Sequence, residues 1–240
     1  MNPIEIKIES DIPDHLVKNI LDQLELPEIA LCAVVFSEGE LRSGALGICL
    51  PKDFLPYYSD VQFFKSFERD DWQYGIFISG SVCRFAKKYP AYFCYLLSHE
   101  VCHAHTYHLN KDLFIAGCIF QEYISKASGN KLKYYELPHE QICDKFGKLI
   151  SGKLFGDDKF IHEIDLIIKD PEITIENKRI SYIESLPEFD SFMDYEEEMI
   201  QVIKPFKEEF KSIINELKKN TKETILNELS TQDYLDKYLI

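Results

Sequence analysis

Residues 89–110 read YPAYFCYLLSHEVCHAHTYHLN, and whether they form a helix decides what the rest of the chain has to do. Tyr92, Phe93, Leu96 and Leu97 lead into HEVCH, and Val101 and Ala104 carry the apolar character past the first histidine. This density predicts a buried helix from Pro90 to about Asn110. Four helical residues turn about 400°, so His99 and His103 share one face, one turn apart, with Glu100 beside them. Two neutral imidazoles at that spacing can converge on one metal ion. A divalent ion lowers the pKa of a water, and a neighbouring carboxylate can take its proton and pass it to a leaving amine. The plain alternative is a pair of hydrogen-bonded core histidines, with Glu100 facing solvent.

A second segment, YYELPHEQICDKFGKLISGKLFG at 134–156, predicts another helix, opened by Pro138 and running to Leu154. Glu140 and Asp144 lie four apart on it, and Ile142, Cys143, Phe146, Leu149 and Ile150 supply apolar contacts. A catalytic zinc site takes three protein ligands and keeps one position open. Glu140 can be the third ligand, and Asp144 can accept the second N–H of a ligand histidine and fix its tautomer.

HEVCH followed by Glu140-x-x-x-Asp144 resembles the gluzincin pattern of zinc metallopeptidases. The string HEQICDKFG is similar to the E-x-x-A-D-x-x-G segment of soluble relatives of the CAAX prenyl proteases and of Lit-type phage-exclusion peptidases, with Cys143 where those families carry Ala. Further on, Asp170-Pro171 and Arg179 stand where the prenyl-protease family has His-Pro and then Arg. The resemblance spans roughly residues 75–156. It implies an α+β, zincin-like domain with a small mixed sheet, the HExxH and ExxxD helices and a helical C-terminal extension. It also implies one Zn2+ held by His99, His103 and Glu140, with Asp144 behind a histidine. The implied activity is endopeptidase action on a protein or peptide, with Glu100 as general base and then acid. Candidates to stabilise the tetrahedral oxyanion are Arg179, Tyr182, His162 and Tyr107. The alternative function is a catalytically inactive, peptidase-like binding or regulatory module acting through its helical tail.

Other ligand sets fit less well. The metzincin pattern needs a histidine where Leu109 stands and a glycine where Thr106 stands. His105 lies two residues after His103, about 200° around the helix. His139 and His162 read as surface histidines. Cys102, inside the motif but off the ligand face, reads as packing.

Around these helices, Ile4, Ile6 and Ile8 alternate as a strand, and ALCAVVFS and GALGICLP read as two more. Leu16, Ile20, Leu21 and Leu24 predict a helix ending before Pro27. WQYGIFISGSV reads as a strand directly ahead of the motif helix, either at a sheet edge where an extended substrate could pair or as an ordinary internal strand. Further helices are expected from Asp112 to about Ala127 and from Asp158 to Ile168, with a loop at KASGNKLK. Beyond about Phe189 the chain becomes charged and helically periodic, and Pro205 should interrupt it. This gives a catalytic domain at 1–188 and a helical extension at 189–240.

A net charge of −14 from 27 Lys+Arg and 41 Asp+Glu argues against a nucleic-acid partner, which needs a basic surface. No apolar run reaches the roughly 20 residues of a membrane span, and the first residues lack a signal-peptide pattern. Seven unpaired-looking cysteines without a C-x-x-C predict reduced thiols and a cytoplasmic protein. Nothing in the sequence specifies an oligomeric state.

Overall fold

A computed structural model describes residues 4–8, 12–24, 32–36, 46–52, 73–120, 137–170, 182–209 and 211–212. Strand β1 (Ile4–Ile8) is followed by α1 (Asp14–Asp22), β2 (Cys32–Phe36), β3 (Gly47–Pro51) and β4 (Tyr74–Ile78). Then come α2 (Gly80–Phe85), α3 (Pro90–Leu109), α4 (Lys111–Ile119), α5 (Pro138–Phe155), α6 (Asp157–Ile168) and α7 (Met193–Ile203). A 3-10 turn at Lys204–Phe206 follows α7, at the proline expected to break it. The architecture is α+β, mostly helical.

By internal contacts the chain forms two compact units. The first comprises Met1–His105 and Cys143–Phe189; the second comprises Thr106–Ile142 and Asp190–Ile240. Residues 190–240 thus share a unit with Thr106–Ile142, and both divisions inside the chain's middle fall within helices, α3 and α5.

In the first unit the strands form a mixed sheet in the order β1-β2-β4-β3. β1, β2 and β4 run parallel, with Ile4 opposite Cys32 and Cys32 opposite Tyr74, while β3 runs antiparallel to β4 with Gly47 opposite Ile78. Of the two readings of the strand ahead of the motif helix, the internal one is the one observed. β4 is paired on both sides, and its five residues are all buried. The edge beside it is β3, which among the described residues pairs only with β4. The glycine-serine sequence after Ile78 does not prolong the strand either, because Gly80–Phe85 turns into the short helix α2. In α1 the buried face is Val17 and Ile20, continued just past the helix by Leu24, with Leu16 and Leu21 at its half-buried margins.

Helix α3 is buried from Ala91 to Tyr107, all the way round, and emerges only at His108 and Leu109. Tyr92, Tyr95, Phe93 and Leu97 are among the largest fully buried side chains, each contributing roughly 1.5–3 kcal/mol of transfer free energy. Pro90 occupies the first helical position, where a missing N–H costs nothing. The next two N–H groups, of Ala91 and Tyr92, donate to Glu163 Oε2 of α6 at 2.8 and 3.0 Å. A carboxylate there meets the positive end of the helix dipole. Burial nonetheless holds the Glu163 carboxyl above its ordinary range, against the lowering effect of the two N–H donors and Lys159.

Helix α5 docks antiparallel on α3 through a row of small or polar residues. Asp144 meets His99 and Tyr95, Gly147 abuts Tyr95, and Ser151 Oγ donates to the Ala91 carbonyl at 2.8 Å. Steps of three or four residues on α5 thus match steps of four on α3, as ridges fit grooves. A Cβ on Gly147 would stand 2.6 Å from the Tyr95 carbonyl oxygen, so only glycine permits this approach.

In the second unit, Asn110 caps α4 by accepting from the Leu113 N–H at 3.1 Å. Tyr107 stacks edge-on against Phe114, and Phe120 against Phe206. The expected continuation of α4 to Ala127 and the loop KASGNKLK lie outside the described residues, as does the chain after 212.

Candidate metal centre

His99, Glu100 and His103 are all buried, at 2%, 7% and 7% exposure. The two histidine rings meet edge to face, with His99 Nε2 and His103 Nε2 3.1 Å apart. Two Nε2 atoms on one tetrahedral zinc, at bond lengths near 2.05 Å, would stand about 3.3 Å apart, so the observed spacing already suits a shared ion. Glu140 lies in the first turn of α5, one turn before Asp144, and it is 2% exposed. One ligand atom from each of His99, His103 and Glu140 lies within 4.8 Å of the others, so this buried cluster could hold a metal ion.

The far sides of both histidines are also held. His99 Nδ1 lies 2.8 Å from Asp144 Oδ1. Tyr95, one turn before His99 on α3, donates its hydroxyl to the same Asp144 oxygen. His103 Nδ1 lies 3.4 Å from Cys143 Sγ. Consecutive residues of α5, Cys143 and Asp144, therefore stand behind the two histidines.

Electrostatics favours a cation at this point. Glu100, Glu140 and Asp144 are buried together, and each buried carboxylate costs several kcal/mol unless a positive charge or donors offset it. A divalent ion between two nitrogens and a carboxylate supplies that offset. The donor set, two imidazole nitrogens and a carboxylate oxygen, is one that zinc, copper, iron and nickel all accept.

Glu100 lies against β3. A Cβ on Gly47 would stand 2.6 Å from Glu100 Oε1, so the start of the edge strand passes directly over this carboxylate. His139 is a correction: it is buried at 2% exposure, not at the surface, because the first turn of α5 is enclosed. Its Nε2 lies 3.7 Å from Glu140 Oε1, and a Cβ on Gly117 would come within 2.9 Å of its Nδ1. His105 is buried as well.

The remaining candidates stand apart. His162 is exposed on α6 and lies next to Glu163, at the N-terminal end of α3, two turns of helix from His99. Tyr182 is half-buried with its hydroxyl inside. Arg179 falls outside the described residues. Tyr107 is buried against Phe114, with the Lys111 ammonium 6.0 Å from its ring centre. Three contributors were not singled out from the sequence. Tyr95 had a usable signal, its spacing of four before His99. Gly47 and the thiol of Cys143 gain meaning only from contacts across the fold.

Cys49, Cys83, Cys94, Cys102 and Cys143 are all buried and unbridged. Burial pushes the Cys94 thiol up to about 12, so it remains protonated packing. No helix among the described residues is long and apolar enough to cross a membrane. Comparison with protein-family models, curated proteins and solved structures finds no match to this chain.

Proposed function

We propose that the chain is a gluzincin-type, zinc-dependent endopeptidase. The observation that carries this reading is the convergence of His99, His103 and Glu140 within 4.8 Å, with Asp144 Oδ1 2.8 Å from His99 Nδ1 on the far side of that ring. In this reading those three side chains hold the ion. When bound, zinc polarises the scissile carbonyl and makes a water acidic enough to lose its proton near neutral pH. Glu100 accepts that proton and returns it to the departing amine nitrogen, general base and then general acid. Its position beside the histidines and under Gly47 holds the carboxylate where the proton must be moved. Asp144, 2.8 Å from His99 Nδ1, would orient that ring with Nε2 toward the ion. The outer edge of β3, which among the described residues pairs only with β4, is where an extended peptide would add as a strand, in place of the interior strand β4.

Glu100→Gln preserves the size of the side chain and removes the base. The variant should bind zinc as the unaltered protein does, measured by elemental analysis, and show no turnover in a peptide-library cleavage assay. Cleavage at the unaltered rate by Glu100→Gln would rule the mechanism out.

A further inference from the structure

Tyr95, His99 and His103 stand at four-residue intervals, so one face of α3 carries a phenol and then two imidazoles, a turn apart each time. Asp144 of α5 meets the first two. Its Oδ1 accepts from the Tyr95 hydroxyl and lies 2.8 Å from His99 Nδ1, so a single oxygen touches both. Asp144 and Tyr95 are fully buried. The torsion that turns an aspartate carboxyl about its Cβ–Cγ bond is broad and roughly two-fold. A hydroxyl donating to one oxygen opposes that turn, and such a bond is strong because the acceptor is charged.

The phenol is itself held. Its ring packs against those of Tyr92 and Phe160, with centroids 5.7 and 5.5 Å away. Gly147, one turn past Asp144 on α5, abuts the other side closely enough that a Cβ there would stand 2.9 Å from Tyr95 Cδ2. Helix α5 therefore meets Tyr95 at two levels, the hydroxyl through Asp144 and the ring through Gly147. A slide of α5 along α3 would disturb both contacts. The carboxylate behind His99 thus takes its place from a side chain one turn ahead on the helix that carries His99.

We propose that Tyr95 is a positioning residue for the metal centre: its hydroxyl pins Asp144 Oδ1 beside His99, and through that carboxylate it keeps the His99 ring aimed at the ion. Tyr95 acts through Asp144 and needs no contact with ion or substrate. Tyr95→Phe keeps the ring and its packing and removes this donor, so the carboxylate can turn from His99.

This role rests on the zinc reading above, and the experiment separates the two. Zinc dissociation constants are measured on the full-length protein by competition with a chelator, for the unaltered chain, Tyr95→Phe, Asp144→Ala and the double variant. Tyr95→Phe should bind zinc about tenfold more weakly, the lower end of the cost of losing a partner outside the ligands. In the Asp144→Ala background the same substitution should change the constant by less than about twofold, because the group it acts through is gone. A tyrosine that merely packs would weaken binding by one factor in both backgrounds. Binding by Tyr95→Phe within about twofold of the unaltered chain, or a tenfold loss that persists without Asp144, overturns the role of the hydroxyl. If Tyr95→Phe does not fold, proton NMR of the unaltered protein decides. The Tyr95 hydroxyl resonance, assigned with carbon-13-labelled tyrosine, should shift when zinc is added, and a resonance that stays in place overturns the proposal. An unaltered chain that binds no zinc overturns the zinc reading and this role together, whereas zinc bound equally by the unaltered chain and Tyr95→Phe overturns this role alone.

Discussion

Replacing Gly147 by alanine tests whether the metal centre depends on how closely α5 approaches α3. The added Cβ would stand 2.6 Å from the Tyr95 carbonyl oxygen and 2.9 Å from Tyr95 Cδ2. Ordinary contact begins near 3.4 Å, so the helices must part by about 0.8 Å at this level. The obstacle is backbone, inside a helix buried on every side, and cannot swing away. Alanine gains up to about 1 kcal/mol over glycine from helix propensity. Overpacking a tight interior costs about 1–3 kcal/mol. The net expectation is a loss of up to about 2 kcal/mol, read by urea denaturation of the metal-free protein. A second consequence is more specific. Asp144 lies one turn from Gly147 on the same face, and its contacts with His99 and Tyr95 would lengthen with the gap. Loss of such a partner weakens metal binding about 10- to 100-fold. Zinc competition should therefore show a larger deficit than stability alone would suggest. Gly147→Ala that is as stable as the unaltered chain and binds zinc equally well would refute the reasoning.

Gly47→Ala should behave differently, because its Cβ would strike the far end of Glu100, 2.6 Å from Oε1, and not backbone. The fold and zinc content should survive, while kcat falls about 10- to 100-fold from a displacement approaching 1 Å; an unchanged kcat would detach Glu100 from the chemistry. Glu163 predicts a pH effect. Its folded pKa is raised, chiefly by burial, so its contribution is fully present below the unfolded value of 4.5 and is lost as pH rises through the folded value. Glu163→Gln should then gain stability relative to the unaltered protein as pH rises from 4 to 7, whereas Glu163→Ala should lose about 1–2 kcal/mol by orphaning the Ala91 and Tyr92 N–H groups. Parallel denaturation curves for Glu163→Gln and the unaltered chain across that range would contradict this. Zinc at 100 times its dissociation constant should stabilise the protein by about 2.7 kcal/mol, and chelation should abolish the gain; a melting temperature indifferent to zinc would count against a folded-state site.

Much of the fold was legible because it is local. The i, i+4 pairs His99/His103 and Glu140/Asp144 are fixed by helical geometry alone, and α3, α5 and α6 begin and end within a residue or so of their expected bounds. The break at Pro205 likewise follows from a missing N–H. Where periodicity gave out, so did the reading: the one-residue offset that buries Val17 in place of Leu16, and the turn of Gly80–Phe85 into a helix after β4.

What the sequence by itself determined was which side chains share a helix face and what ion chemistry they suit. Tertiary structure alone decided that β4 is interior and β3 the edge, since strand pairing joins residues far apart in the chain. It alone set the register of α5 on α3, which brings Cys143 and Asp144 behind two histidines some forty residues earlier. That register depends on a glycine thin enough to let two backbones touch, and on close packing between surfaces that no local periodicity describes.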